Sequence, residues 1–232
     1  MVWEAALSLS WVEGLRLIKR GAESEIRAGD FMGMSSIYKL RVPKPYMDPA
    51  LDRRLRAQRT LKEAKVLSVA AQSGVRVPRL YAVFPSLGLI VMELVQGPTL
   101  KEFISRGSED WRPLARDAGV QLGLLHRAGI THGDSTTSNM IVRDGRVVMI
   151  DFGLAEFSTS TEDRAVDVHL LKEAVTSTHP EVSDEFMKEF VDGYSEVMKE
   201  EAPSVVQRSR EIELRGRYVA ARRSVWAGEG ER

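Results

Sequence analysis

The stretch from Thr131 to Gly153 constrains this chain more than any other. It reads Thr-His-Gly-Asp-Ser-Thr-Thr-Ser-Asn-Met-Ile-Val, then a turn, then Val-Val-Met-Ile-Asp-Phe-Gly. Three polar residues in it suit phosphoryl transfer. Asp134 is placed to accept a proton from an attacking hydroxyl or water. Asn139 and Asp151 can each bind a metal ion. Met140–Val142 and Val147–Ile150 predict two short strands, with Asp144-Gly145 at their junction, and Asp-Gly between apolar runs is a strong hairpin signal. Such a hairpin brings Asn139 and Asp151 to the same end of two paired strands. Two neighbouring oxygen ligands suit Mg²⁺ on a triphosphate, because that ion fills most of its sphere with phosphate and water.

His-Gly-Asp and Asp-Phe-Gly are weak signals singly. In this order, across a hairpin, they point to a protein-kinase-like fold of the α+β class. The expected organisation is bilobal: a small antiparallel-sheet N-lobe over residues 1–95 and a reduced, mostly helical C-lobe over residues 96–232. A length of 232 residues accommodates this and buries a substantial core.

Charge narrows the partners. Lys+Arg and Asp+Glu balance at 33 each, so the molecule has no general attraction to nucleic acid or membrane. The blocks are uneven, however. Ser36–Lys62 holds eight basic and two acidic residues, Glu181–Glu201 eight acidic and two basic, and Ser204–Arg223 six arginines against two glutamates. These are solvated faces or docking surfaces. The absence of cysteine excludes a disulfide scaffold, thiolate zinc and a thiol nucleophile. No apolar run has secretory or membrane-spanning character, so a cytoplasmic protein is expected.

In chain order, Leu15–Arg20 reads as a strand, Gly21-Ala22-Glu23-Ser24 as a tight connection, Glu25–Ala28 as a return strand and Ser35–Val42 as a third. Residues 1–14 carry no interpretable signal. Pro49 opens a helix with an apolar stripe of Leu51, Leu55, Ala57, Leu61, Ala64 and Leu67, closed by Gly74. Two further strands, Leu80–Phe84 and Leu87–Val95, lead to a hinge at Gln96-Gly97-Pro98. Helices follow: a short one over Thr99–Arg106, one bearing Leu114, Ala118, Leu122 and Leu125, one capped by Ser183 with Phe186, Phe190, Tyr194 and Val197 on one side, and an arginine-rich one over about Ser204–Arg223.

A nucleotide's phosphates need a cation held by a carboxylate on the neighbouring helix. Lys39, late in the third strand, is the candidate, with Glu63 as its partner. Lys44 is a rival, but it lies between two prolines and outside the strand. Gly21, Ala22, Glu23 and Ser24 form the candidate phosphate-covering loop. It has one glycine where typical kinases have three, and is expected to be stiffer. Glu93 and Val95, just before the hinge, complete the assigned nucleotide contacts. Two departures stand out. Gly133 replaces the arginine that precedes the catalytic aspartate in typical protein kinases and answers a phosphorylated loop. No Ala-Pro-Glu follows Asp-Phe-Gly, so the peptide-binding platform is largely missing. Asp167 is either an anchor for the catalytic loop or a solvated acid.

Together, Lys39-Leu-Arg-Val-Pro-Lys-x-Tyr46, Pro49-x-Leu-Asp52, Arg59-Thr-x-x-Glu63-Ala, Gly21-Ala-Glu-Ser and His132-Gly-Asp-Ser-Thr-Thr-Ser-Asn139 resemble the Bud-thirty-two family, the small atypical kinase/ATPase subunits of the KEOPS (EKC) complex. The tail Leu214-Arg-Gly-Arg217…Arg222-Arg-Ser224 is similar to that family's basic C-terminus, with Tyr218–Ala221 as an insertion. The resemblance runs from about residue 15 to the end. It implies ATP as cofactor with Mg²⁺ (or Mn²⁺), ATP hydrolysis and autophosphorylation on serine or threonine. It also implies partnership with the complex's threonylcarbamoyl-transferase subunit and a small adaptor subunit, and support of threonylcarbamoyladenosine formation in tRNA, reached indirectly or through the basic tail. No membrane partner is implied. Two other classes share parts of the pattern: a free-standing small kinase of the RIO type, and a nucleotide-binding pseudokinase scaffold.

Overall fold

The computed structural model describes residues 10–107 and 110–228, with side chains described up to residue 215. Residues 1–9 lie outside this set, as do the tail side chains from Gly216 to Ser224. Backbone contacts divide the chain into two compact units. One runs to Gln72 and takes in Arg76–Gln96; the other takes Ser73–Val75 and runs on from Gly97.

The first unit starts with a helical turn, α1 (Ser10–Glu13), then β1 (Arg16–Arg20), β2 (Ser24–Phe31), β3 (Met34–Arg41), helix α2 (Pro49–Gln72), β4 (Leu80–Phe84) and β5 (Leu89–Glu93). A 3₁₀ turn at Pro85–Leu87 takes up the start of the expected last strand. The sheet order is β1-β2-β3-β5-β4, antiparallel throughout. Side chains alternate across a strand, so β3 sends Tyr38 and Leu40 to one face and Lys39 and Arg41 to the other. Tyr38 lies opposite Val91 and Leu40 opposite Leu89. These four form an apolar cluster with Val12 of α1, and Trp11 packs edge-on against Tyr38 with ring centroids 5.6 Å apart. Trp11 and Val12, from a segment that carried no signal, thus cover this apolar face of the sheet.

Helix α2 corrects the expected stripe. Ala64 and Leu67 are buried, but Leu51 and Leu61 are about half exposed. The buried set is Asp52, Thr60, Glu63, Ala64, Val66, Leu67 and Ala70. The helix receives the charged ends of Lys39 and Arg41 from β3 and the Lys44 backbone N–H from the segment after it, so its inner face is partly polar and hydrophobic spacing does not trace it.

The second unit contains α3 (Leu100–Arg106), α4 (Arg112–Arg127), β6 (Ile130–Thr131), β7 (Met140–Arg143), β8 (Arg146–Met149), β9 (Glu156–Phe157), α5 (Thr161–Thr178), α6 (Ser183–Met198) and α7 (Ala202–Gly228). Leu114, Ala118, Leu122 and Leu125 of α4 are all buried, as are Phe186, Phe190 and Tyr194 of α6. Burying each large apolar side chain contributes about 1.5–3 kcal/mol. The two helices approach so closely that a Cβ on Gly193 would lie 2.0 Å from the Arg116 carbonyl oxygen. Arg112–Glu185 (2.6 Å) and an Arg116–Glu196 pair join the same helices at the surface. Ser183 is not the cap of α6. Val182 holds that position, and the Ser183 hydroxyl is instead 2.7 Å from the Thr176 hydroxyl of α5. A serine already inside the first turn spends its oxygen on the neighbouring helix. Among the described residues, no helix is long and apolar enough to cross a membrane.

Candidate active site

In the first unit, Lys39 and Glu63 form a buried ion pair, with Nζ 2.6 Å from Oε1. The other carboxylate oxygen, Oε2, accepts from Arg41 at 2.6 Å. All three side chains are at most 7% exposed. Charges buried this deeply have to be paired. Arg41 was not among the expected residues, although its place two residues after Lys39 puts it on the same strand face. Lys44 lies elsewhere, its ammonium bonded to the Ala22 carbonyl. The Gly21–Ser24 loop closes through Gly21 N–H to Ser24 O at 2.9 Å. Glu93 pairs across the sheet with Ser36 and accepts from the Arg79 N–H at 3.1 Å, while Val95 is 6% exposed.

In the second unit the motif forms a hairpin from Met140 to Met149, with Met140 opposite Met149 and Val142 opposite Val147. Asp144 (φ 52°) and Gly145 (φ 69°) both adopt the left-handed conformation of a two-residue turn. The Asp117 carboxylate of α4 accepts from Val147 N–H at 2.7 Å and holds the hairpin on that helix. Ile150 N–H donates to Asn139 O at 2.9 Å, so Asn139 and Asp151 sit at the same end of the hairpin. The Asn139 side-chain amide donates to the Asp134 carboxylate at 2.8 Å and to its backbone carbonyl at 2.9 Å. With its nitrogen committed to Asp134, Asn139 has its carbonyl oxygen for a cation. Asp151 is exposed and itself left-handed (φ 62°), a conformation that costs a non-glycine residue of order 1–3 kcal/mol. Its neighbour Phe152 is buried against the His132 ring, centroids 4.9 Å apart, which offsets that strain.

Asp167 decides how the catalytic loop is held. It is 1% exposed and sits on α5. Its Oδ2 accepts from His132 N–H (2.6 Å) and His126 Nε2–H (3.0 Å), and its Oδ1 from Gly133 N–H (2.8 Å). Its backbone carbonyl takes the Ser135 hydroxyl. Both residues before Asp134 and the one after it are therefore bonded to this one aspartate, which is an anchor and not a solvated acid. The chain continues inward: His126 Nδ1 accepts from the Tyr194 hydroxyl at 2.8 Å. Burial pushes the His126 and His132 imidazoles below the ordinary 6.5, against the pull of Asp167, and pushes the Tyr194 phenol up. Both histidines are neutral at pH 7, and each then has one N–H to donate and one nitrogen to accept. His132 accordingly donates from Nε2 to Ile150 O at 3.1 Å. Gly133 has φ 75°, and a Cβ there would lie 2.5 Å from Leu154 O. Geometry therefore forbids the arginine found there in typical protein kinases.

Comparison with known proteins agrees with these features. A family model described as the RIO domain matches residues 47–172, over half of the chain. KEOPS complex subunit Bud32 of Pyrococcus abyssi is 43% identical over 88% of this chain and 96% of its own length. This chain belongs to the Bud32 family. EKC/KEOPS complex subunit bud32 of Dictyostelium discoideum is 35% identical over 87% of the chain and 82% of its own length. A probable bifunctional tRNA threonylcarbamoyladenosine biosynthesis protein of Methanothermobacter thermautotrophicus is 40% identical, and this chain spans 36% of it. Bud32 membership carries the two-lobed, protein-kinase-like α+β architecture. Two solved structures show the same fold: Rio2 kinase from Chaetomium thermophilum as an ADP/Mg²⁺-phosphoaspartate complex (TM-score 0.58, 17% identity, 88% of this chain and 73% of that one), and WaaP in complex with acyl carrier protein (TM-score 0.59, 18% identity, 91% and 93%). At 17–18% identity these two structures establish the fold.

Proposed function

We propose that this chain is a Mg²⁺-dependent ATPase and atypical serine/threonine kinase that works as a subunit of the KEOPS complex and supports threonylcarbamoyladenosine modification of tRNA. One observation carries this reading. The Asp134–Asn139 pair and Asp151 stand at one hairpin end, on a loop anchored by Asp167, in a chain matching nearly the full length of a named KEOPS subunit.

The residues of each unit, taken by itself, suit one part of a nucleotide with its metal. Lys39, oriented by Glu63, neutralises phosphate oxygens. Asn139 and Asp151 would hold Mg²⁺, or Mn²⁺ in its place, which would offset the charge of the phosphates. Bound ATP supplies the transferable phosphoryl group. Asp134 takes the proton of the attacking water or hydroxyl, and Asn139 fixes the carboxylate that does so. Gly21–Ser24 covers the phosphates, and Glu93 and Val95 contact the rest of the nucleotide. The chain works with the complex's threonylcarbamoyl-transferase subunit and its small adaptor, in the cytoplasm, with tRNA reached indirectly or through the basic tail. A RIO-type free-standing kinase would show ribosomal precursors in a pull-down in place of these partners.

Asp151→Ala tests the proposal. Asp151 is exposed, so the fold should stand, while ATP turnover with Mg²⁺ should fall by at least about a thousandfold, several kcal/mol of charge stabilisation being lost. Turnover retained in the purified variant, with tRNA and partners present, would defeat it.

A further inference from the structure

The Gly21–Ser24 loop has one glycine, yet each of its residues is tied down. Gly21 N–H bonds Ser24 O (2.9 Å), Val42 N–H bonds Glu23 O (3.1 Å), and the Lys44 ammonium bonds Ala22 O. Arg59 of α2 donates to both carboxylate oxygens of Glu23, at 3.2 Å each. Lys44 is itself placed: its backbone N–H donates to buried Asp52 at 3.1 Å, and Asp52 is clamped by Arg56 at 2.8 Å. A space of about 120 Å³ stays open beneath, lined by Glu23, Lys44, Asp52, Arg56 and Arg59 among others. Val42, Tyr46, Met47 and Leu55 also line that space, so the loop is braced by two long cationic side chains across a partly apolar gap.

Peptide geometry turns this brace into a direction. In a planar trans peptide the carbonyl and the following N–H point opposite ways. Fixing Ala22 O on Lys44 aims the Glu23 N–H away from Lys44, while the Glu23 O–Val42 and Gly21–Ser24 bonds keep the Ser24 end of the turn in the hairpin. A glycine-rich loop lets such amides find an anion through backbone freedom. Here that freedom is replaced by side chains whose place is set by α2 and the segment before it.

We infer that Lys44 and Arg59 are positioning residues for nucleotide binding: they hold the Ala22-Glu23 turn so that its amides face the phosphates. This rests on the nucleotide site proposed above. It gives Lys44 a task distinct from that of Lys39 and gives the Arg59–Glu23 pair one as well.

The test is calorimetric titration of the intact chain with ATP, ADP and adenosine, for wild type, Lys44→Met, Lys44→Arg and Arg59→Gln. A hydrogen bond from a charged donor supports about tenfold weaker ATP binding for Lys44→Met, largely rescued in Lys44→Arg. The exposed Arg59–Glu23 pair supports about two- to threefold for Arg59→Gln. Adenosine binding should not change, because the braces touch only the phosphate loop. Arg59→Glu should weaken ATP binding, and adding Glu23→Arg should restore it, which no folding defect would do. ATP affinity equal to wild type in both Lys44→Met and Arg59→Gln would overturn the inference, as would equal losses for ATP and adenosine. Wild type binding ATP no more tightly than adenosine would instead remove the nucleotide site itself, and that result is read before any variant is made.

Discussion

Replacing Asp167 by asparagine keeps the shape of the side chain and removes one acceptor oxygen. In the native protein Oδ1 takes the Gly133 N–H and Oδ2 takes the His132 N–H and His126 Nε2–H. The asparagine amide has to face one of these groups with its own N–H₂. The better choice puts it against Gly133, an exposed residue, and strands a part-buried donor, which sets the loss near the lower end, about 1 kcal/mol. The two bonds that survive change from charge-assisted to neutral, at about 1 kcal/mol each. Asp167→Asn should therefore destabilise the protein by about 3 kcal/mol, a large part of the roughly 5–15 kcal/mol that holds a typical domain together. Urea unfolding followed by circular dichroism measures it as a lowered midpoint at unchanged slope. Turnover per folded molecule should fall too, since Asp134 follows directly on the released Gly133. A midpoint within about 0.5 kcal/mol of wild type would mean that Asp167 does not anchor the loop.

Two further outcomes follow from the same cluster and its helices. His126 and His132 have folded-state pKa values depressed below the unfolded 6.5 by burial. Above that pH both states are neutral and these groups are silent; as pH falls through it, the unfolded chain takes protons that the folded one refuses. Stability should then drop by up to about 1.4 kcal/mol per pH unit for each histidine, and urea midpoints that stay flat from pH 7.5 to 5.5 (roughly one unit to either side of that value) would contradict it. At the α4–α6 contact, Gly193→Ala places a methyl 2.0 Å from the Arg116 carbonyl oxygen, which should cost about 1–3 kcal/mol or more through overpacking; an unchanged thermal midpoint would show that the helices separate freely.

The parts of this structure that were legible in the sequence are those fixed by neighbours in the chain. The hairpin between Asn139 and Asp151 follows from an Asp-Gly turn between two apolar runs, and the turn adopts the conformation that dipeptide favours. The Lys39–Glu63 pair followed from charge and order along one strand and one helix. What could not be read depended on distant partners. The inner face of α2 is partly polar because it pairs with Arg41 and Lys39, so Leu51 and Leu61 counted as core when they are exposed. Asp167 bonds residues some 35 positions earlier, and no spacing within α5 marks which of its acids turns inward. Ser183 looked like a cap until Thr176 of the preceding helix took its hydroxyl. The turn holding Trp11 and Val12 is too short to carry a periodic pattern.

Consider finally the left-handed glycine at position 133, pressed against Leu154 O. Many protein kinases are switched on when a phosphate added after Asp-Phe-Gly is grasped by an arginine from this place. Here the backbone of the segment after Asp-Phe-Gly occupies the room that such a side chain would need. Covalent marking of that segment therefore has no hand at residue 133 to pull on.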